Sequence, residues 1–342
     1  MHTHPTIRWG ILGCGNVCEV KSGPAFQLAE GSVLTKVMRR TPLMAEDFAT
    51  RHGVPNWTGD VDDLIDDPDV DAVYIATPPG SHCEYALRVC AAGKPCYVEK
   101  PMARNAEECQ RMVEAFADAD LPLYVAYYRR ALPRFLKAKE LLDSGTIGRI
   151  THVSYRYERP ADPGRPPGWR VEAEQSGGGL LLDLGSHTLD ILDYLLGPLQ
   201  HVEGWAENLA RLYPVEDHVE MNFTVGGSAT GQAVWNFAAD RRHDLIEIQG
   251  TQGSIKLSTF GNEPLHLATP DGVESFDLPN PTHIQQPLIQ TIVNELRGLG
   301  TCPSTGTTAA RTSAVIDRVL TGYYGRRDDD FWNRPDSWPA RR

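Results

Sequence analysis

The sequence predicts an α/β fold in which a parallel sheet is followed by an antiparallel one. Three observations support this prediction. The first 126 residues alternate short β-type runs with helical patterns, the region after residue 150 is a close succession of strands, and 342 residues are enough for two domains. We predict a first domain over residues 1–126 and a second over 127–342, whose C-terminal helices can pack back on the first domain.

Five β-type runs form the first predicted sheet: IRWGIL, VLTKVM, AVYIA, PCYVE and LPLYVA. Helical segments such as LMAEDFATRHG and SHCEYALRVCAAG separate them. Parallel neighbouring strands need a long return connection, usually a helix. The alternation therefore predicts a doubly wound parallel sheet.

The second predicted sheet consists of ITHVSYRYE, LQHVEGWAE, HVEMNFTV, SATGQAVWNF, DLIEIQG and SIKLST. Several of these runs alternate apolar and polar residues, and turns such as VGGS and GTQGS join them, which is typical of antiparallel strands. A connection rich in Pro and Gly, residues 159–179, precedes a leucine-rich helix. Its length predicts a functional lid.

Composition limits the partners. A net charge of −12 argues against nucleic acid, whose binding needs a basic face. The sequence has no signal-peptide pattern at its start and no run of about 18 apolar residues, so we expect a cytoplasmic protein with no membrane partner. Its seven cysteines form an odd set without a C-x-x-C pair, and we expect reduced core thiols.

A glycine-rich turn ends the first strand. Gly13 and Gly15 match the first two glycines of the G-x-G-x-x-G/A fingerprint, and Cys18 stands at the third position. Two glycines let the backbone approach a pyrophosphate, and the helix that begins at Asn16 and Val17 offers free N–H groups. On the first strand of a βαβ unit, this pattern favours a dinucleotide site over a plain tight turn.

The second strand ends at Arg39, Arg40 and Thr41, where an acidic residue would hold the 2′-hydroxyl of NAD. Two guanidinium groups suit a 2′-phosphate, so NADP is favoured. The alternative is that one arginine stacks on adenine while the other is solvated, and then NAD is the cofactor.

Two further strand ends carry candidate cofactor contacts, because open α/β sheets bind ligands at the carboxyl ends of their strands. Thr77 and Pro78 begin the segment TPPGSH, which ends at His82, and Glu99 and Lys100 belong to EKP. A lysine cation near a reacting oxygen would stabilise a developing alkoxide. A lone lysine is otherwise more often a surface residue.

The stretch SGGGLLLDLGSHTLD places Asp183, His187 and Asp190 on one face of a regular helix. An imidazole has a pKa suited to moving a hydroxyl proton, and Asp183 can hold that imidazole or a substrate hydroxyl. Asp190 lies about 10 Å beyond Asp183 along the helix, which favours a supporting role. A buried structural pair and a metal site are the alternatives, but no further ligand cluster has a convincing spacing, so we expect no metal.

These motifs together resemble the glucose-fructose oxidoreductase/inositol dehydrogenase/MocA family of nicotinamide-dependent oxidoreductases. The likeness extends through GTIGRI, the WR at residues 169 and 170 and the sheet region. It implies an N-terminal Rossmann domain and a C-terminal α+β domain on a large, open, mostly antiparallel sheet. That second domain would bind substrate and form a homodimer or homotetramer through its sheet. The resemblance also assigns Lys100 to the nicotinamide and the substrate hydroxyl, and Asp183 and His187 to the catalytic pair.

Four more residues are candidate substrate contacts. Tyr128 and Arg130 follow the last strand of the first sheet, with packing and solvated arginines as the alternative. Trp169 and Arg170 lie in the Pro-rich connection and can cap a sugar face, although Trp169 can equally be a packing residue.

The combined prediction is an NAD(P)-dependent oxidoreductase. It would transfer hydride between the nicotinamide and a secondary hydroxyl or carbonyl of a sugar, inositol or other cyclic polyol-like substrate. The main alternative is a non-catalytic dinucleotide-binding sensor or partner protein on the same fold, since a fold does not determine a function. A metal-dependent hydrolase or lyase is the third class.

Overall fold

The computed structural model describes residues 5–162, 164, 168–328 and 330–341. The chain divides into two compact units. The first takes its described residues from Met1–Ala103, Glu108–Leu132 and Pro281–Ala310, and the second takes them from Arg104–Glu107, Pro133–Asn280 and Arg311–Arg342. The domain boundary after residue 126 stays a prediction.

The first unit contains a six-stranded parallel sheet in the order β3-β2-β1-β4-β5-β6. Its strands are β1 (Ile7–Leu12), β2 (Ser32–Met38), β3 (Asn56–Thr58), β4 (Ala72–Ile75), β5 (Cys96–Val98) and β6 (Leu123–Val125). The prediction of a doubly wound parallel sheet is confirmed. Strand β3 is the exception, because two of its three residues are exposed and it lacks the buried apolar run of β5 and β6.

Ten α-helices accompany the two sheets in the described part of the chain. They are α1 (Gly23–Leu28), α2 (Pro42–His52), α3 (Val61–Ile65), α4 (His82–Ala91), α5 (Ala106–Asp118), α6 (Pro133–Asp143), α7 (Ala173–Ser176), α8 (Ser186–Leu196), α9 (Gln286–Leu296) and α10 (Gly306–Tyr324). We find no helix among the described residues that has both the length and the apolar character needed to cross a membrane.

The second unit contains an eight-stranded sheet in the order β14-β13-β12-β11-β7-β10-β9-β8. Its strands are β7 (Ile150–Glu158), β8 (Gln200–Glu207), β9 (His218–Val225), β10 (Ala229–Asn236), β11 (His243–Gly250), β12 (Ser254–Leu257), β13 (Leu265–Thr269) and β14 (Gly272–Phe276). All neighbours are antiparallel except β7 and β10, which run parallel. The prediction of a large, mostly antiparallel sheet is confirmed.

The two sheets bury their residues differently. Strand β4 is buried on both faces, as expected for a parallel sheet with helices on each side. Strand β9 buries Val219, Met221 and Phe223, whereas Asn222 is exposed. One face of the second sheet is therefore packed and the other is open.

Candidate active site

The turn after β1 has no room for a side chain at Gly13. This residue has a φ of +94°, and a Cβ atom there would lie 2.7 Å from Cγ2 of Thr77. The Gly13 N–H donates to the carbonyl of Met38 at 2.9 Å, and the Gly15 N–H donates to Gly13 at 2.7 Å. Among the described atoms, a Cβ at Gly15 would meet Gly13 O alone, at 3.9 Å. The backbone is therefore closely packed against Thr77 at Gly13, whereas the space beside Gly15 is open.

The helix that follows is not regular. Asn16 is exposed, Cys18 is fully buried, and Cys18–Ser22 forms a π-turn before α1 begins. The Gly23 N–H donates to the carbonyl of Cys18, five residues back. Pro24 has no N–H to donate, and the wide turn lets the helix continue past it. Cys18 thus occupies the close-packed position where the fingerprint has its third small residue.

The residues after β2 carry positive charge close to the glycine turn. Arg39 is half-buried, whereas Arg40 and Thr41 are exposed. Burial raises the pKa of the Cys14 thiol to about 11, and the charge of Arg39 partly opposes that rise. The Arg39 guanidinium therefore acts electrostatically on the turn that begins the candidate dinucleotide site.

His82 joins two strand ends. Its Nε2 lies 2.7 Å from the carbonyl oxygen of Thr77 and its Nδ1 lies 3.0 Å from that of Pro101. The ring is fully buried, and burial lowers the pKa of His82 although both carbonyls oppose the shift. The hydroxyl of Thr77 accepts from Ser81 at 2.8 Å, and Pro78 is half-buried. His82 therefore orders the turns after β4 and β5.

A buried network fixes the main chain at Lys100. Oε2 of Glu99 accepts from the Lys100 N–H at 3.0 Å, while its Oε1 accepts from the Tyr74 hydroxyl at 2.7 Å and from Nε2 of Gln285 at 2.6 Å. Gln285 accepts in turn from Tyr97 at 2.9 Å. Gln285, fully buried before α9, is missing from the sequence-based candidates, because nothing in its local pattern points to Glu99.

Tyr128 and Arg130 lie in a short 3₁₀ turn after β6 and are both buried. The alternative of solvated arginines is wrong for Arg130, which is 3% exposed and donates to a backbone carbonyl. Burial alone would raise the pKa of Tyr128, but the positive charges of Arg129, Lys21 and Lys100 oppose burial, and the pKa is lowered. Tyr128 therefore shares an electropositive environment with Lys100. Whether it contacts substrate stays a prediction.

Asp183 lies in a π-turn and His187 lies in the first turn of α8. The π-turn covers Leu181–Gly185, and the Ser186 N–H donates to the carbonyl of Leu181. The expectation of a regular helix is therefore wrong at its start. There the backbone hydrogen bond spans five residues instead of four, which widens the turn. Single π-turns of this kind are frequent at functional sites.

The Pro-rich connection reaches this π-turn. Nε of Arg170 lies 3.0 Å from Oδ2 of Asp183, and the guanidinium carbon lies 4.6 Å from the ring centroid of Trp169. His187 is 4% exposed and packs edge-on against Phe260 at 6.1 Å between ring centroids. Phe260, in the turn after β12, is a further neighbour that the sequence did not suggest. In the structure, Trp169 therefore contacts Arg170, and Arg170 contacts Asp183.

Asp190, farther along α8, is fully buried. Within the described ranges, no group of three or more His, Cys, Asp or Glu side chains is arranged to hold a metal ion.

Both halves of the chain match known families. Residues 7–127 match the oxidoreductase family with an NAD-binding Rossmann fold, and residues 135–256 match the GFO/IDH/MocA C-terminal domain. Oxidoreductase P35 of Formosa agariphila is 39% identical over 317 residues, which cover 91% of this chain and 97% of that protein. Levoglucosan dehydrogenase of Pseudarthrobacter phenanthrenivorans is 31% identical over 259 residues, which cover 68% of this chain and 66% of that protein.

One further relative and one solved structure extend the comparison. A scyllo-inositol 2-dehydrogenase (NAD(+)) of Bacillus subtilis is 28% identical over 278 residues and covers 80% of this chain and 79% of its own length. The solved structure of levoglucosan dehydrogenase in complex with NADH and levoglucosan has a TM-score of 0.83 at 26% identity, over 92% of this chain and 96% of that one. The chain therefore belongs to the Gfo/Idh/MocA family of oxidoreductases, with an NAD-binding Rossmann domain.

Proposed function

We propose that the protein is an NAD(P)-dependent dehydrogenase or reductase for a secondary hydroxyl or carbonyl of a sugar, inositol or other cyclic polyol-like substrate. The observation that carries the proposal is the contact between Arg170 and Asp183 at the π-turn that opens α8, with His187 in the turn that follows. The names of relatives, levoglucosan dehydrogenase and scyllo-inositol 2-dehydrogenase, support the substrate class.

The residues of the glycine turn fit a dinucleotide. The backbone is closely packed at Gly13 and leaves open space beside Gly15. A Cβ atom would fill this space, through which a ligand can approach the backbone. Asn16 and Val17 lie at the start of the helix, where backbone N–H groups can bind a pyrophosphate. When bound, the nicotinamide supplies the hydride acceptor or donor.

Each proposed catalytic residue has a separate task. The Lys100 ammonium stabilises negative charge that develops on the substrate oxygen. His187 accepts the hydroxyl proton during oxidation and returns it during reduction. Asp183 orients the imidazole or a substrate hydroxyl, and Arg170 pairs with the Asp183 carboxylate at the edge of the site. The ring of Trp169 offers an apolar face to a sugar.

The favoured cofactor is NADP. Arg39 and Arg40 supply two positive charges after β2, Thr41 supplies a hydroxyl, and the sequence has no carboxylate there to bind a 2′-hydroxyl. A 2′-phosphate would be held by charge-assisted hydrogen bonds from these guanidinium groups.

We also propose a cytoplasmic homodimer or homotetramer that assembles through the open face of the second sheet. This face carries the ion pair between Arg156 and Glu158 and the half-exposed indole of Trp205. All seven cysteines are buried free thiols in the part of the chain that the structure describes, which fits a reducing compartment. Sedimentation of wild type and of Trp205→Glu tests the assembly.

A substrate screen tests the proposed reaction. Nicotinamide absorbance is followed with NAD and with NADP against levoglucosan, inositols, aldoses and anhydro sugars, in both directions. Turnover of one class of cyclic polyol is the expected result. Tight cofactor binding without turnover across the panel would favour the sensor function instead.

A further inference from the structure

Gly177, Gly178 and Gly179, which precede the π-turn, pack closely against other parts of the second unit. Gly177 has a φ of +83°, and a Cβ atom there would lie 2.4 Å from the carbonyl oxygen of Arg104. At Gly179 a Cβ atom would lie 2.2 Å from the carbonyl oxygen of Glu216. The turn 177–179 therefore passes between two backbone segments that leave no space for side chains.

The carboxylate of Glu216 binds this turn directly. Glu216 is fully buried in the connection between β8 and β9. Its Oε1 and Oε2 accept from the Gly179 N–H at 3.0 and 2.9 Å, and Oε2 also accepts from the hydroxyl of Tyr324, the last residue of α10. One buried acid thus joins the glycine turn to the end of α10.

Arg327 holds the other end of the same turn. Its Nη1 donates to the Gly177 carbonyl at 2.7 Å, its Nη2 donates to the Arg104 carbonyl at 2.8 Å, and its Nε donates to Asp317 at 2.7 Å. The guanidinium carbon also lies 5.2 Å from the ring centroid of Tyr324. All three guanidinium nitrogens of Arg327 therefore donate, and the residue is 5% exposed.

We propose that Glu216 is a positioning residue for the reaction: together with Tyr324 and Arg327 it fixes the turn 177–179, and through the turn it places Asp183 and His187. The kinetic part of this inference rests on the proposed function. The inference also gives Tyr324, at the end of α10, and Arg327, which follows it, a role in positioning Asp183, although both are far from Asp183 in the sequence.

The charge of Glu216 decides how tightly the turn is held. Burial raises its pKa to about 7, although the hydrogen bond from Tyr324 and the charge of Arg327 oppose the rise. Tyr213 is a further titratable side chain whose charge interacts with Glu216, and Asp317 pairs with Arg327. The ionised carboxylate can accept from both Gly179 and Tyr324, whereas a protonated acid turns one acceptor into a donor. Burial outweighs these hydrogen bonds, so the closed turn is most stable below the pKa, relative to an opened turn in which Glu216 meets water.

Hydrogen exchange of the full-length protein tests the inference. Exchange is measured for the segment 177–185 from about pH 5.5 to about pH 8.5, corrected for the intrinsic rate, in wild type and Glu216→Gln. We expect wild-type protection to fall as the pH rises through about 7, because opening of the turn exposes the ionised Glu216 to water. Glu216→Gln should show weak protection with no such step. Glu274→Gln, an exposed carboxylate on β14 with the same change of charge, should behave as wild type.

Kinetics of the same variants provide the second readout. A small displacement of reacting groups can lower the rate about 100-fold, so kcat of Glu216→Gln should fall by roughly 10- to 100-fold while the cofactor Kd stays unchanged. Tyr324→Phe removes one donor and should give a smaller loss, and it replaces Glu216→Gln if that variant does not fold.

Unchanged exchange in Glu216→Gln, or a wild-type pH step that persists in it, would overturn the inference. A normal kcat in that variant would overturn the positioning role even if exchange changed. If wild type turns over no substrate of the panel, the proposed function fails, whereas the exchange result still decides whether Glu216 holds the turn.

Discussion

The Nε atom of Arg170 lies 3.0 Å from Oδ2 of Asp183. The pair links the Pro-rich connection before α7 to the π-turn before α8. Asp183 is the more buried partner, with 16% of its side chain exposed, whereas 44% of the Arg170 side chain is exposed. An arginine that is half in solvent can leave or rejoin the carboxylate at little cost in stability, so the pair suits substrate binding better than folding.

Arg170→Ala should therefore weaken substrate binding without unfolding the protein. A half-exposed ion pair contributes about 0–1 kcal/mol, so the melting temperature should change little. We expect the substrate KM to rise by about tenfold, as for the loss of one charged contact. Arg88→Ala, which removes a surface pair with Asp62, is the matched control and should leave KM unchanged. An unaltered KM in Arg170→Ala would remove Arg170 from the substrate site.

Gly13→Ala should damage the cofactor site. The substitution combines a left-handed φ with a Cβ position 2.7 Å from Thr77, so strain of about 1–3 kcal/mol is expected. The control is Gly93→Ala, where φ is +74° and a Cβ would have no described atom within 4 Å. Titration of both variants with NADPH should show a Kd raised at least tenfold for Gly13→Ala alone. Equal affinities would mean that the glycine turn does not touch the cofactor.

Arg40→Asp should reverse the cofactor preference. Loss of a charge-assisted hydrogen bond to the 2′-phosphate costs about 1.5–3 kcal/mol, so kcat/KM for NADP should fall by roughly 10- to 100-fold. The new carboxylate can bind a 2′-hydroxyl, and kcat/KM for NAD should hold or rise. The prediction fails if wild type already prefers NAD and Arg40→Asp leaves the ratio unchanged.

Glu216 should make the folding stability depend on pH. Its pKa rises from 4.5 to about 7 on folding because burial disfavours the charge. Between these values the native state keeps a proton that the unfolded state releases, so stability is full below about 4.5 and falls as the pH rises through about 7. The total loss is about 3 kcal/mol.

Urea unfolding at about pH 5 and about pH 8 measures this loss. The free energy of unfolding of wild type relative to Glu216→Gln should decrease between the two pH values by about that amount. A difference that does not vary with pH would contradict the prediction. The sign agrees with the exchange prediction, because global unfolding and local opening of the turn both expose Glu216 to water.

The sequence predicts the parts of the fold that repeat a pattern. Long runs such as β7 and β9 alternate over eight or nine residues, and their identification is confirmed. Strands β3 and β14 are mostly exposed and β13 buries only two of its five residues, so none of them shows the apolar run or long alternation that reveals the other strands. The π-turn at Leu181–Gly185 is equally hidden, because a single wider turn leaves the apolar pattern of the leucines unchanged.

The residues of the candidate site also fall into two groups, those that a local sequence pattern predicts and those that it does not. Glycines, EKP and the Asp183–His187 spacing are local signals that the sequence exposes directly. Gln285 and Glu216 have no local signal, because their partners Glu99 and Gly179 lie far away in the chain and meet them only after folding. Long-range buried networks of this kind need coordinates.

The central claim is that Lys100 and His187 carry out the proton and charge chemistry of a nicotinamide-dependent oxidation. Single-turnover hydride transfer on a substrate from the panel tests it most directly, in wild type, Lys100→Met and His187→Ala. The account predicts that the rate falls by about 10²- to 10⁴-fold in each variant, while the cofactor Kd stays within about twofold of wild type. Normal cofactor binding together with wild-type hydride transfer in either variant would contradict it.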